Sequence, residues 1–265
     1  MSTPSNAKLL REQRRRRILE IVETEGIVSA DKLITELGVS PMTLWRDLSW
    51  LDQSGRVRRV RGGVVRLDEA SGNEPRYKSK QVLNIEKKRA IARYAAEHFV
   101  EDNDIIILEA GTTVGAMVKY FNRQNLTVIT NGLGTLNDLT LCCVPDVTAL
   151  SCGGLLRDVA YTFVGPQAEE FFRNVHAHTL FLSCSGLAFP DGITDPNLLE
   201  IQVKRAMAES AGRVILLIDS TKFGRRSLSP IIPLDKIQVL ITDREAPEQD
   251  LDQIHEIGIE VCVAD

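Results

Sequence analysis

The strongest constraint on this chain is a series of short, continuously apolar stretches, most of them separated by helix-patterned segments. They fall at Ile105–Leu108, Leu126–Thr130, Val147–Leu150, Thr179–Ser183, Val214–Ile218 and Val239–Thr242. A strand that is apolar along its whole length needs cover on both faces, and a parallel sheet flanked by helices supplies it. Ile85–Phe99 and Val114–Phe121 have helical spacing and precede or follow such strands. From about Val82 to Asp265 the chain therefore reads as an α/β domain with a mostly parallel sheet. Aromatic residues make up only 5% of the chain, which suits this packing better than an all-β sandwich.

Residues 1–66 have a different texture. Arg11–Glu23 is predicted helical, with Ile18, Ile21 and Val22 as its apolar stripe and Gly26 as its stop. Ser29 caps a second helix carrying Ala30, Leu33, Ile34 and Leu37, and Gly38 ends it in the left-handed conformation. Ser40 caps a third helix with Pro41 at its first position and Leu44, Leu48 and Leu51 on its buried face. A short strand, Arg56–Val60, then reverses at Gly62-Gly63 into Val64-Val65. Helix, turn, helix and basic hairpin is the order of a winged helix-turn-helix. Residues 67–81 show no apolar period and read as a linker, which leaves 82–265 as the α/β domain.

Charge divides the same way. Residues 1–66 hold 13 Lys+Arg against 8 Asp+Glu, a net of +5, while the remainder holds 19 against 28, a net of −9. A basic head suits a polyanion, and an acidic body is repelled by one. No apolar run reaches the roughly 18 residues of a membrane span, and Met1–Arg17 has no apolar segment of the secretory kind. The five cysteines contain no Cys-x-x-Cys pattern and read as reduced thiols. A cytoplasmic protein with no membrane partner, no metal and no cofactor is expected.

The third helix is the natural reader of the major groove. Its face opposite the leucines centres on Met42, Arg46 and Ser49, flanked by Thr43 and Trp45, with Ser40 at the helix start. An arginine such as Arg46 matches guanine bidentately. Arg58, Arg59 and Arg61, with Arg56, would follow the backbone or minor groove from the wing. Trp45 reads equally as core or contact, and Trp50 as packing. A winged helix that binds protein is the rival reading.

In the larger domain, polar clusters follow several strands. They are Glu109-Ala110-Gly111-Thr112-Thr113, Thr130-Asn131-Gly132, Gly153-Gly154, Ser185-Gly186 and Asp219-Ser220-Thr221-Lys222-Phe223-Gly224. Ligands of open α/β sheets bind beyond the carboxyl ends of the strands. The amides of the Gly111 loop, the hydroxyls of Thr112 and Thr113, and Lys222 suit an anion. Asp191 and Asp195 read as pocket or turn residues. Glu200 and Lys204, four apart, read as a surface pair or as a pocket pair.

Val39-Ser40-Pro41-Met42-Thr43-Leu44-Trp45-Arg46-Asp47-Leu48, with Arg59-Val60-Arg61-Gly62-Gly63, resembles the signature of DeoR-type bacterial regulators, as do the Gly-Thr-Thr, Thr-Asn, Gly-Gly and Asp-Ser-Thr-Lys-Phe-Gly clusters. The resemblance spans nearly the whole chain. It implies a sensor similar in fold to ribose-5-phosphate isomerase and glucosamine-6-phosphate deaminase. It also implies a repressor of a carbohydrate catabolic operon, with double-stranded operator DNA and a sugar phosphate or related metabolite as partners. The oligomer implied is at least a dimer, and no catalysis is expected. The effector residues expected on this basis are Gly111, Thr112, Thr113, Asn131, Gly153, Gly186, Asp191, Glu200, Lys204 and Lys222. The chain departs from the family pattern at Trp45, where a second arginine is usual, and at Arg61, where a histidine is. It also has Glu109 and His178 where aspartates are usual. An isomerase or deaminase with an added head, using Glu109, Asp191, Glu200 and Lys222, is the alternative.

Overall fold

The computed structural model describes residues 11–25, 27–54, 56–60, 62–66, 76–142 and 146–265, and the described chain divides between Ser79 and Lys80 into two compact units.

The first unit is built from α1 (Arg11–Glu25), β1 (Ile27–Ser29), α2 (Ala30–Leu37), α3 (Pro41–Gln53), β2 (Val57–Val60) and β3 (Gly63–Arg66). Its punctuation is local chemistry. The Ser29 side chain accepts from the Lys32 amide at the start of α2, Gly38 ends that helix at φ 61°, and Ser40 caps α3 by accepting from Thr43 N. The strands form an antiparallel sheet in the order β1-β3-β2, so the hairpin is pinned by the short strand between the first two helices. Ile18, Leu33, Leu44, Leu48, Leu51 and Val64 are fully buried in one core.

The second unit runs α4 (Tyr77–Val82), α5 (Ile85–Phe99), β4 (Ile105–Leu108), α6 (Thr112–Gly115), β5 (Leu126–Thr130), α7 (Leu133–Leu141) and β6 (Val147–Ser151), with α4 straddling the division. A hairpin follows, β7 (Leu155–Arg157) and β8 (Thr162–Val164), then α8 (Pro166–Arg173) and β9 (Ala177–Leu182). The remainder is β10 (Gly186–Ala188), β11 (Gly192–Asp195), α9 (Leu198–Ser210), β12 (Ala211–Leu217), β13 (Ser229–Pro230), β14 (Val239–Asp243), α10 (Glu248–Glu256) and β15 (Glu260–Ala264). Of the stretch read as a linker, residues 67–75 lie outside those described, and its last residues open α4. The helix expected at Val114–Phe121 is one α-turn, α6, continued as a 3-10 helix over Ala116–Tyr120.

Seven strands form one sheet in the order β15-β14-β12-β9-β4-β5-β6, and every pairing in it is parallel. Successive residues alternate between two cores. Ile107, Leu180, Leu182, Val214 and Leu216 pack with α8 and α9 through Ala168, Phe172, Ile201 and Met207. Ile106, Leu108, Val128, Phe181, Ile215 and Leu217 pack with α5 through Ile91, Ala92, Ala95 and Ala96. Burial on both faces explains why these strands are apolar at every residue. The strand order also fixes where a ligand can sit. The chain builds β4, β5 and β6 towards one edge, then returns to place β9, β12, β14 and β15 towards the other. The reversal falls between β4 and β9, and the crevice of such a sheet opens beyond the carboxyl ends of those two strands.

Candidate DNA interface and effector site

On α3, Met42 is 73% exposed, Arg46 is exposed, and Thr43, Trp45 and Ser49 are half-buried, while the leucines face inward. The expected outer face is therefore an outer face. Several of its polar groups already serve the head itself. Ser40 Oγ and Thr43 Oγ1 lie 2.9 Å apart within the helix cap. Ser49 Oγ donates to the Trp45 carbonyl at 2.7 Å and accepts from Arg59 at 2.5 Å. Arg59 also pairs with Asp52, and its guanidinium lies over the Trp45 ring at 5.7 Å. Arg59 thus ties the wing to the recognition helix, and Trp45 is at once partly core and partly a platform for it. Arg58 is exposed on β2; Arg61 lies outside the described residues.

Asp47 is a residue that sequence reasoning passed over. It sits on the buried side of α3, 1% exposed, and its two carboxylate oxygens take Arg14 Nε at 2.6 Å and Arg15 Nε at 2.9 Å. The Arg15 guanidinium also covers the Trp50 ring at 4.0 Å, so half-exposed Trp50 packs against charge. Two of the four arginines in the run 14–17 therefore clamp α1 to the recognition helix. The available signal was a charge beside Leu48, on a face otherwise made of leucines.

At the sheet's reversal point, the loop after β4 meets the loop after β9. Glu109 Oε2 accepts from Gly111 N at 2.9 Å, Ser183 Oγ at 2.7 Å and Ser183 N at 3.3 Å. A Cβ on Gly111 would lie 1.9 Å from Ser183 Oγ, so only glycine allows the two loops this close. The expectation that the Gly111 amide is offered to a ligand is corrected: the carboxylate two residues earlier takes it. The Ala110 amide is likewise taken, by Asn131 Oδ1 at 3.0 Å. Asn131 is 1% exposed and also donates to the Phe163 carbonyl, which fastens the loop after β5 to the β7–β8 hairpin. Thr113 is buried and Thr112 half-buried.

Lys204 projects from α9 into the same place and is 4% exposed. Its ammonium meets Asp195 at 2.5 Å, Glu109 at 3.1 Å and the Ser183 carbonyl at 2.8 Å. Burial works against its charge, but the carboxylates of Asp195, Glu109 and Glu200 outweigh it, so its pKa is raised. Lys204 is an ammonium ion at any physiological pH and is not a proton acceptor. One turn earlier, Glu200 is 6% exposed and takes Arg157 and Thr162 Oγ1, the latter at 2.7 Å. Glu200 and Lys204 are thus both buried, each with its own partners, and are not an exposed surface pair. Burial pushes the Cys184 thiol up.

The structure does not bring Asp191 there. It stands near the tip of the β10–β11 hairpin, paired with Arg226 at 2.7 Å, and lines a groove with Arg205, Gly212 and Pro230. Asp195, four residues on at the hairpin's base, reaches Lys204 instead; four strand residues span about 13 Å. Gly186 ends beside the Arg225 backbone, and Gly153 holds a left-handed φ of 64°. Arg157 was the residue missed here, since it comes from a hairpin that no strand-end pattern announces.

The loop that carries Lys222 is also tied to the start of α5. Asn84 donates to Asp219 and to Thr221, and Lys87 to Ser220 at 2.7 Å, with Asp243 at 3.3 Å.

Two known protein families match parts of this chain. The family described as DeoR-like helix-turn-helix domain matches residues 14–70, and the DeoR C terminal sensor domain matches residues 83–244. HTH-type transcriptional regulator GolR of Listeria innocua is 31% identical over 254 residues, 96% of this chain and 98% of that one. The putative aga operon transcriptional repressor of Escherichia coli O157:H7 is 32% identical over 253 residues, 95% of this chain and 93% of that one. The glycerol-3-phosphate regulon repressor of Escherichia coli K12 is 30% identical over 253 residues, 94% and 98% of the two chains. Among solved structures, ribose 5-phosphate isomerase from Plasmodium falciparum aligns over 51% of this chain and 52% of that one, at TM-score 0.37 and 14% identity. That likeness is too slight to carry an argument about chemistry.

Proposed function

We propose, from the fact that this chain belongs to the DeoR family of transcriptional regulators, that it represses a carbohydrate catabolic operon and is released by a phosphorylated sugar or a related anionic metabolite. The family makes it a DNA-binding regulator with a sensor for a small molecule. Relatives named for the aga operon and the glycerol-3-phosphate regulon support the narrower reading.

The observation that carries the sensor reading is the buried polar cluster at the sheet's reversal point. Glu109, Asp195, Glu200, Lys204 and Arg157 come from four separate elements and converge where ligands of such sheets bind. The ammonium of Lys204 is held by two carboxylates, so the cluster orients donors and acceptors for a polyhydroxylated ligand. Lys222 is the cation we assign to the phosphate. Gly111, Thr112, Thr113, Asn131, Gly153 and Gly186 shape the loops around that ligand. On the head, Met42, Arg46 and Arg58 meet the operator from the exposed face of α3 and the wing. Ser40, Thr43, Trp45, Ser49 and Arg59 hold that surface in shape. Because Asn84 and Lys87 bond to the Asp219–Lys222 loop, a ligand on Lys222 would pull on the first turn of α5. Ligand binding in this way favours one of two states of the regulator. Paired operator half-sites call for two heads, hence at least a dimer.

The test is calorimetric titration of the protein with a panel of sugar phosphates and their unphosphorylated parents. The wild type should prefer a phosphorylated member. Lys222→Ala should weaken that binding by about 1.5–3 kcal/mol, the worth of a charge-assisted bond, while operator binding persists. A preference for an unphosphorylated sugar, or unchanged binding by the variant, refutes the phosphate assignment.

A further inference from the structure

Among the described residues, the strand at one edge of the sheet is exposed along most of its length. Thr148, Ala149, Leu150 and Ser151 of β6 are all exposed, and β6 pairs only with β5 among the described residues. Exposure continues beside it, with Leu150 at 40%, Leu155 at 63%, Leu156 at 44% and Leu141 at 70%. Residues 147–156, VTALSCGGLL, contain no Asp, Glu, Lys, Arg or Pro. A strand edge left to water normally carries such residues, because bare main-chain donors and acceptors template pairing with another chain. An uncharged apolar edge is anomalous on a unit whose chain beyond residue 66 holds 47 charged side chains.

We infer that β6 is the homodimer interface, pairing antiparallel with β6 of a second copy about a two-fold axis at Ala149. The hydrogen bonds fix the geometry. The Asp146 carbonyl and the Cys152 amide both point to β5, through Leu126 N at 3.0 Å and Thr130 O at 3.3 Å. Main-chain groups alternate sides along a strand, so Val147, Ala149 and Ser151 direct theirs outward. Placed antiparallel about Ala149, this edge is complementary to itself. Ala149 faces the partner's Ala149 and Val147 faces the partner's Ser151, which gives about six main-chain hydrogen bonds. Charge points to the same occupant. Two acidic sensor units meet without repulsion only on a surface free of charge, and this is one. An isologous contact of this kind closes on itself and leaves no further edge to propagate.

The interface also borders the candidate pocket. Gly153 and Gly154 join β6 to the hairpin that carries Arg157 and Thr162, the partners of Glu200. This inference rests on the proposed reading only in supplying the dimer that paired half-sites require.

The experiment uses the full chain. Sedimentation velocity should give a dimer for the wild type. Ala149→Pro removes the central outward N–H, and Ala149→Lys sets two like charges directly opposite. Both should sediment as folded monomers with an unchanged circular dichroism spectrum, and operator affinity should fall about 100-fold or more as the two heads lose their linkage. In a Cys142→Ser, Cys143→Ser background, Ala149→Cys should form a covalent dimer on oxidation, since directly paired strand residues lie within disulfide range. Glu260→Cys, on the opposite edge of the sheet, should not. A monomeric wild type overturns the inference. So does a dimer that survives both substitutions, whether it forms through another face or through β15. Failure of the wild type to bind operator DNA at all would count against the repressor reading and leave the dimer result standing.

Discussion

Replacing Lys204 with methionine tests how the sensor's charges are held. Methionine keeps an unbranched apolar stem as far as Cε and lacks the ammonium. Glu109 and Asp195, 3% and 2% exposed, then face each other across a site with no cation between them. Breaking a buried pair from one side typically costs about 3–5 kcal/mol, because a charge is left buried and uncompensated. Here two are left, so the upper half of that range is expected at pH 7. Adding Asp195→Asn to the variant should recover part of the loss. Urea unfolding of the protein at pH 7, followed by circular dichroism, measures both effects. A loss below about 1 kcal/mol would mean that the carboxylates find other partners or water and that the cluster is not built around Lys204.

The remaining predictions are smaller in scale. Arg58, exposed on the wing, should act through phosphates, so Arg58→Ala should lower the salt slope of DNA binding by about one and weaken all sequences alike; salt titration by fluorescence anisotropy reads this out. Asp243 is buried, which by itself would raise its pKa, but amides of Ser220 and Glu245 and the ammonium of Lys87 hold it below the usual 3.8. Its contribution to stability is complete above 3.8 and is lost as the pH falls through the depressed value, so acid unfolding of Asp243→Asn should be less steep below pH 3.8 than that of the wild type.

What the sequence disclosed and what it withheld divide along one physical line. Features set by neighbours in the chain were readable. Ser29, Gly38, Ser40 and Pro41 mark helix ends because capping is local, and the ends of β4, β5 and α5 fall where apolar runs begin and stop. Two kinds of feature were not. The short antiparallel excursions, β7–β8 and β10–β11–β13, are two to four residues long and carry no period to detect. The edge strand β15, Glu260–Ala264, opens on a charged residue and is only partly buried, unlike the central strands. The site itself lies in tertiary contacts. Glu109, Ser183, Asp195 and Lys204 are drawn together by the reversal of strand order, and Arg14, Arg15 and Asp47 by the packing of α1 on α3. Glu200 and Lys204 could be placed on one helix face, but whether that face met water or the crevice depended on the sheet.

The most direct measurement is binding of the protein to the DNA upstream of the operon it controls, wild type against Arg46→Ala, by footprinting and anisotropy. Arg46 is exposed at the centre of the outer face of α3 and away from the head's core, so its removal should leave folding intact. The account predicts a discrete protected site for the wild type, and a loss of about 1–3 kcal/mol of specific binding in the variant, with discrimination relaxed at the base pair it reads. An unchanged footprint in Arg46→Ala, with unchanged affinity, would contradict the placement of α3 in the major groove.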